Sequence, residues 1–247
     1  MNLHKLFLTE NECYKVGRKI TPKGIMVHST GANNPNLKRY VGPDDGLLGV
    51  NQYGNHWNTY RPGGTQVCVH GFIGKLADGS VATYQTLPWD MRGWHAGGAA
   101  NDTHIGFEIC EDGLEDKAYF DKVYKEAVEL CAYLCKLYNL NPATSIICHS
   151  EGYKAGIASN HGDVMHWFPK HGKTMDDFRS DVYNLIHSEL VSDAVDHPPV
   201  DPHKPSDWAA DDWYLAVQRG VFDGTNPKNP LTREQAAVVF RRLGLIK

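Results

Sequence analysis

Residues 104–150 read HIGFEICEDGLEDKAYFDKVYKEAVELCAYLCKLYNLNPATSIICHS. HIGFEICE (104–111) and SIICHS (145–150) are short apolar runs of strand-forming residues. Between them, apolar residues at 120, 123, 124, 127, 130, 131, 134 and 137 recur at helical spacing, and Asn141-Pro142 closes the pattern. Strand, helix, strand in this order predicts a helical crossover lying on a sheet. Outward from it, GIMVHST (24–30), VCVHGFIGKL (67–76) and SVATYQTL (80–87) also read as strands, the last two joined by a hairpin turn at ADGS (77–80). A second helix is expected from Thr174 as N-cap through Met175, Phe178, Val182, Leu185 and Ile186. The expected fold is α/β, a mixed central β-sheet flanked by helices, with a small C-terminal helix-loop-helix module.

The composition breaks once. Residues 192–206, SDAVDHPPVDPHKPS, hold four prolines and no apolar period, as a stiff linker does. The expected layout is a domain over 1–190, a linker over 191–206 and a module over 207–247. The whole chain has 247 residues, with 41% apolar and 22% charged residues, within the range of soluble globular proteins. A net charge of -4 and no basic run argue against nucleic acid as a partner. No segment reaches the roughly 20 apolar residues of a membrane span. The N-terminal MNLHKLFLTENECYK lacks a secretory apolar region, so synthesis in the cytoplasm without a signal peptide is expected. Six cysteines include no CxxC pair and read as buried free thiols. Thirteen histidines favour metal or acid–base chemistry. The Gly-, Asn- and Pro-rich segment 31–66 carries Tyr40, Tyr53, Trp57 and Tyr60 and reads as a groove wall rather than a disordered loop.

Three strand ends are expected to carry polar groups: His28 ends the strand in MVHST, Glu108 sits in HIGFEICE, and His149 ends the strand in IICHS. Such groups facing one cleft are a common site pattern in α/β sheets. Downstream, CHSEGYKAGIASNHGD (148–163) is a Gly/Ala/Ser-rich loop that still carries His161 and Asp163. Two histidines, one carboxylate and an open position form a standard ligand set for catalytic zinc. Glu151 fits a supporting or a surface role equally well. His70, His104, His171 and His187 read as structural.

GIMVHST, DGSVATYQTLPWDMRGWHAGG, NDTHIGFEICED, IICHSEG and NHGDVMHWFP, taken in order, carry a resemblance. Over roughly residues 20–187 the chain resembles the zinc-dependent N-acetylmuramoyl-L-alanine amidases related to peptidoglycan recognition proteins, many of them phage endolysins. The resemblance implies Zn²⁺ held by His28, His149 and Asp163. It implies Glu108 as acceptor of the proton of the zinc-bound water, and His161 beside the reacting carbonyl, where some relatives have lysine. It implies Trp94, His95 and Asn101 as substrate-groove residues. The stretch from His149 to Asp163 is longer than in some branches, so His161 and His166 compete with Asp163 for the third ligand position. The implied partner is bacterial peptidoglycan, reached at lysis or by a non-classical route.

In the tail, VFDGTNPKNPLTREQAAVVF resembles a single S-layer homology repeat. Two helices are expected there: one with Trp208, Trp213, Ala216 and Val217 stopped by Gly220, the other opened by a Thr232–Gln235 capping box. The module would attach the chain to the wall or build a homo-oligomer. The rival class for the whole chain is a non-catalytic muropeptide-binding protein of the same fold. A glycosidase would need two carboxylates across a sugar, and none are paired near these motifs.

Overall fold

The structure is a computed structural model. It describes residues 1–192, 205, 209–223, 225–227, 229 and 233–245, which fall into two compact units, Met1–Glu189 and Leu190–Lys247. In chain order, the first unit holds β1 (Leu3–Lys5), α1 (Glu12–Val16), β2 (Gly24–Asn33), β3 (Gly71–Lys75), β4 (Val81–Gln85) and β5 (His104–Glu111). After these come α2 (Lys117–Tyr138), α3 (Pro142–Ser145), β6 (Ile146–Cys148), α4 (His149–Lys154) and α5 (Met175–Ser192), whose last turn runs past Glu189 into the second unit. The second unit contains α6 (Ala210–Gln218) and α7 (Arg233–Arg242).

The six strands form one mixed sheet in the order β1-β4-β3-β5-β2-β6. β3 and β4 are antiparallel, joined by the expected hairpin; the remaining pairs are parallel. Alternate residues of the central strands meet different cores. Ile25, Val27, Ile73, Ile105, Phe107 and Ile109 are buried with the apolar stripe of α2 and with Phe178 and Val182 of α5. Phe72 and Cys110 face a second cluster built from α1 and the segments around residues 37–48 and 87–91. With both faces covered, β5 reads as an apolar run interrupted within it by Glu108.

Local chemistry explains the helix ends. Asp116 Oδ1 accepts from the Tyr119 N–H (3.0 Å) to start α2, and Asn139 closes it in the left-handed region at φ 52°. Asp177 N–H donates to Thr174 Oγ1 (3.1 Å) at the start of α5, as the sequence predicts.

Three expectations shift. The run 67–76 is strand only from Gly71. Upstream, Cys68 bridges instead to Trp94, and the buried His70 ring bonds to Met91 and Gly106. β1 and α1 carry no strong sequence signal; β1 is a three-residue edge strand held by its pairing with β4. The run 145–150 stays extended only to Cys148, so His149 opens α4 rather than ending a strand. Glu151 is the cause: its Oε2 accepts from the Cys148 N–H (3.0 Å) at the helix start. The same carboxylate pairs with Arg179 of α5 at 3.1 Å.

In the second unit, α6 ends ahead of Gly220, which takes φ +70°, and the Trp213 and Phe222 rings stack at 5.0 Å. Trp208, Thr232 and nearly all of the proline-rich segment lie outside the described residues.

Candidate active site

β2 carries His28 in mid-strand, and Glu108 of β5 is its register partner. Neighbours in register on parallel strands turn their side chains to the same face. Cys148, the last residue of β6, pairs with Val27, so the next residue, His149, arrives beside His28. The loop after α4 brings Asp163 to the same point, and that loop is held from two sides. Ser150 N–H donates to the Asp163 carbonyl (3.3 Å), and His166 Nε2 lies 2.8 Å from Glu111 Oε1.

Three donor atoms converge. His28 Nδ1 lies 3.1 Å from Asp163 Oδ2 and 3.1 Å from His149 Nδ1, and His149 Nδ1 lies 3.6 Å from Asp163 Oδ2. Among the described residues this is the group of His, Cys, Asp and Glu side chains whose ligand atoms come together as a metal ion needs. The fit can be tested by geometry. Donors at 2.0–2.1 Å from a tetrahedral zinc are spaced about 3.3 Å apart, and the three separations bracket that value. Two ring nitrogens and a carboxylate oxygen crowded this closely have more lone pairs than protons between them, which a dication resolves. The residues therefore fit zinc. His161 stands outside the triangle, its ring 4.6 Å from that of His149, and His166 is engaged by Glu111.

The electrostatics follow from burial. Burial drives the His28 imidazolium below its ordinary pKa despite the Asp163 charge. Glu108 is pushed well above the usual carboxylate range by burial first and then by the charges of Asp163 and Glu111. Its Oε2 is buried with no hydrogen-bond partner among the described residues. A buried, unpaired carboxyl oxygen is costly, and such groups cluster at functional sites.

The three expected groove residues part company. Trp94 is exposed, with the Arg92 guanidinium 5.0 Å from its ring centroid. His95 lies deeper, its Nδ1 2.9 Å from His28 Nε2. Asn101 is fully buried, and its Oδ1 accepts from the N–H groups of His95 and Ala96. It supports the wall from behind and offers no surface to a ligand. Sequence reading missed Glu111 and Ser159. Glu111 looks like a polar strand end, and Ser159 sits in a loop with no periodicity; their roles depend on partners 55 and 10 residues away.

Fold and site together define an α/β protein with a candidate mononuclear metal centre on one face of a mixed sheet. Residues 18–165 match the family model of N-acetylmuramoyl-L-alanine amidases, Amidase_2, and the chain belongs to that family. A curated relative, the N-acetylmuramoyl-L-alanine amidase CwlH of Bacillus subtilis (strain 168), is 39% identical over 72 residues, which is 28% of this chain and 27% of CwlH. The match thus spans well under half of that relative's length. The fold is similar to that of the Staphylococcus aureus hydrolase AmiA in complex with its ligand, with a TM-score of 0.56 and 18% identity over 77% of this chain and 86% of that one. It is also similar to the PlyG catalytic domain in solution, with a TM-score of 0.52 and 19% identity over 75% of this chain and 96% of that one.

Proposed function

We propose that the chain is a peptidoglycan hydrolase that cleaves the amide bond between the lactyl group of N-acetylmuramic acid and L-alanine. The observation that carries this reading is the convergence of His28, His149 and Asp163 beside the buried carboxyl of Glu108, in a chain of the amidase family. Zinc, when bound by those three residues, supplies a Lewis acid that acidifies water and polarises the amide carbonyl. Glu108 takes a proton from the attacking water and returns it to the departing nitrogen of L-alanine. His161, beside the ring of His149, donates to the carbonyl oxygen as negative charge gathers there. Trp94 offers an exposed flat face to the muropeptide. The rival reading, a non-catalytic muropeptide binder, has no use for a full donor set beside a buried acid.

The test is turbidity loss and release of new amino termini from purified bacterial walls, with and without chelator. Amide hydrolysis requires both signals, abolished by chelator and restored by zinc. Zinc binding without new amino termini would make the chain a binder. Lysis with new reducing ends instead would make it a glycosidase.

The same reading assigns residues 1–190 to catalysis, 191–206 to a linker and 207–247 to a wall-attachment or assembly module similar to an S-layer homology repeat. No described residue from 209 to 245 is buried, which supports reading this segment as a small attachment or assembly module. A chain ending at Ser188 should hydrolyse soluble muropeptide normally and intact walls more slowly, because tethering raises effective substrate concentration. Equal rates on intact walls would remove wall attachment, and a change in sedimentation would favour assembly. The site of action is the bacterial cell wall. Among the described residues no helix is long and apolar enough to cross a membrane.

A further inference from the structure

We infer that Asn101, His95 and Ser159 form a positioning frame that fixes both His28 and His149 with their Nδ1 lone pairs aimed at one point. The inference rests on the metal-site reading above and extends it to residues that touch neither metal nor substrate.

Two backbone carbonyls, which can only accept, set the proton positions. His95 Nε2 lies 3.2 Å from the His104 carbonyl, so His95 carries its proton on Nε2. Its Nδ1 is then an acceptor, and His28 Nε2–H donates to it at 2.9 Å. His28 Nδ1 is left as a bare lone pair facing Asp163 and His149. On the other side, the Ser159 hydroxyl donates to the Ala96 carbonyl at 3.1 Å. With that single proton committed, Ser159 Oγ accepts from His149 Nε2–H at 3.3 Å, and His149 Nδ1 is bare as well. Ser159 Oγ also accepts from His161 Nδ1–H at 3.0 Å. This leaves Nε2 as the nitrogen that His161 can turn to a ligand.

The two chains run through neighbouring residues, one through His95 and the other to Ala96, and Asn101 holds both. Its Oδ1 accepts the His95 N–H at 2.8 Å and the Ala96 N–H at 2.9 Å. Two glycines make the frame fit. A Cβ on Gly106 would lie 2.4 Å from His95 Nδ1, and one on Gly97 would lie 2.6 Å from Ser159 Oγ. Metal-ligating histidines commonly donate their second N–H to an acceptor that sets tautomer and ring angle, and losing it typically costs about 10–100-fold in metal affinity.

The experiment uses the full chain. Ser159→Ala and His95→Leu remove the acceptors; Ser159→Thr and His95→Gln keep them. Ring ¹⁵N shifts of the zinc-free protein should report the Nε2–H tautomer for both His28 and His149. Ser159→Ala should disturb His149 alone, and His95→Leu should disturb His28 alone. Zinc dissociation constants from chelator competition should weaken about 10–100-fold in the two deletions and recover in the two conservative variants. Folded deletion variants with unchanged tautomers and unchanged affinity would overturn the frame. If a deletion variant fails to fold, an Nδ1–H tautomer on either histidine of the wild type overturns it equally. A wild type that binds no zinc at all, or binds it as tightly after His28→Ala, is a different failure: it removes the metal-site reading itself.

Discussion

On the helix side of the β2–β5 pair, Ile25, Val27, Ile105, Phe107 and Ile109 are shut off from solvent beneath α2. On the opposite side of the same two strands stand His28, Gly106 and Glu108, among the rings of His95, His149 and His70. The first side is built mainly of apolar side chains. The second holds a carboxyl oxygen with no hydrogen-bond partner among the described residues and three donor atoms crowded within 4.8 Å. Strand alternation lets eight residues of β5 serve both ends. The side under α2 anchors the backbone by apolar burial, and that anchoring lets the other side keep groups that would be costly in a freely adjusting structure.

If the two faces divide labour in this way, substitutions should separate turnover from stability. The largest effect belongs to His28→Ala, which should reduce both zinc content and amide hydrolysis to the chelator-treated background. Metal analysis of the purified variant checks it, and full occupancy would break the assignment. Next comes Glu108→Gln, expected to retain zinc while losing about 10²–10⁴-fold in rate. Because the carboxyl is buried and unpaired, the substitution should leave the melting temperature level or raise it; an equal fall in stability and rate would mean a merely structural carboxylate.

On the helix face, Phe107→Ala should cost about 3–5 kcal/mol of stability with the rate per folded molecule unchanged. Urea unfolding beside zinc-loaded kinetics on the same sample reads both quantities.

The smallest expected effect is a pH dependence on the site face. His70 is fully buried; its Nε2–H donates to the Met91 carbonyl at 2.6 Å and its Nδ1 accepts from the Gly106 N–H at 3.0 Å. Burial lowers its pKa from 6.5 to about 4. The unfolded chain therefore binds a proton that the folded one refuses between those values. The stabilisation is complete above pH 6.5 and is lost as pH falls toward 4, at most about 3 kcal/mol. Thermal midpoints of zinc-free wild type and His70→Gln across roughly pH 4–7 isolate the contribution; parallel curves would assign the acid sensitivity to other groups.

Much of this was readable in one dimension. The run 104–111 coincides with β5, and the helical spacing of 118–140 finds α2 at Lys117–Tyr138, because both elements bury most of the apolar residues they carry. His28 and Glu108 stood out as polar groups inside apolar runs. Less readable were the limits of β3, where His70 and Cys68 leave the ladder to bond elsewhere, and the start of α4, where Glu151 captures the Cys148 N–H. Asn101 lies behind the surface it was expected to line for a similar reason. GWHAG is an exposed-looking loop in the sequence, and nothing local shows that Asn101 folds beneath it.

Periodicity and residue type, then, determined the α/β class, the order of the long elements and the residues able to bind a metal or move a proton. Those properties are local: which side chains dislike water, and which atoms carry lone pairs. Tertiary structure alone decided that Asp163 rather than His161 closes the donor triangle, and that His95 and Ser159 come within hydrogen-bond distance of the two histidines. The physical reason is distance. A hydrogen bond or a shared metal requires atoms about 3 Å apart, and His28 meets its partners from 67, 121 and 135 residues along the chain only after the sheet has formed.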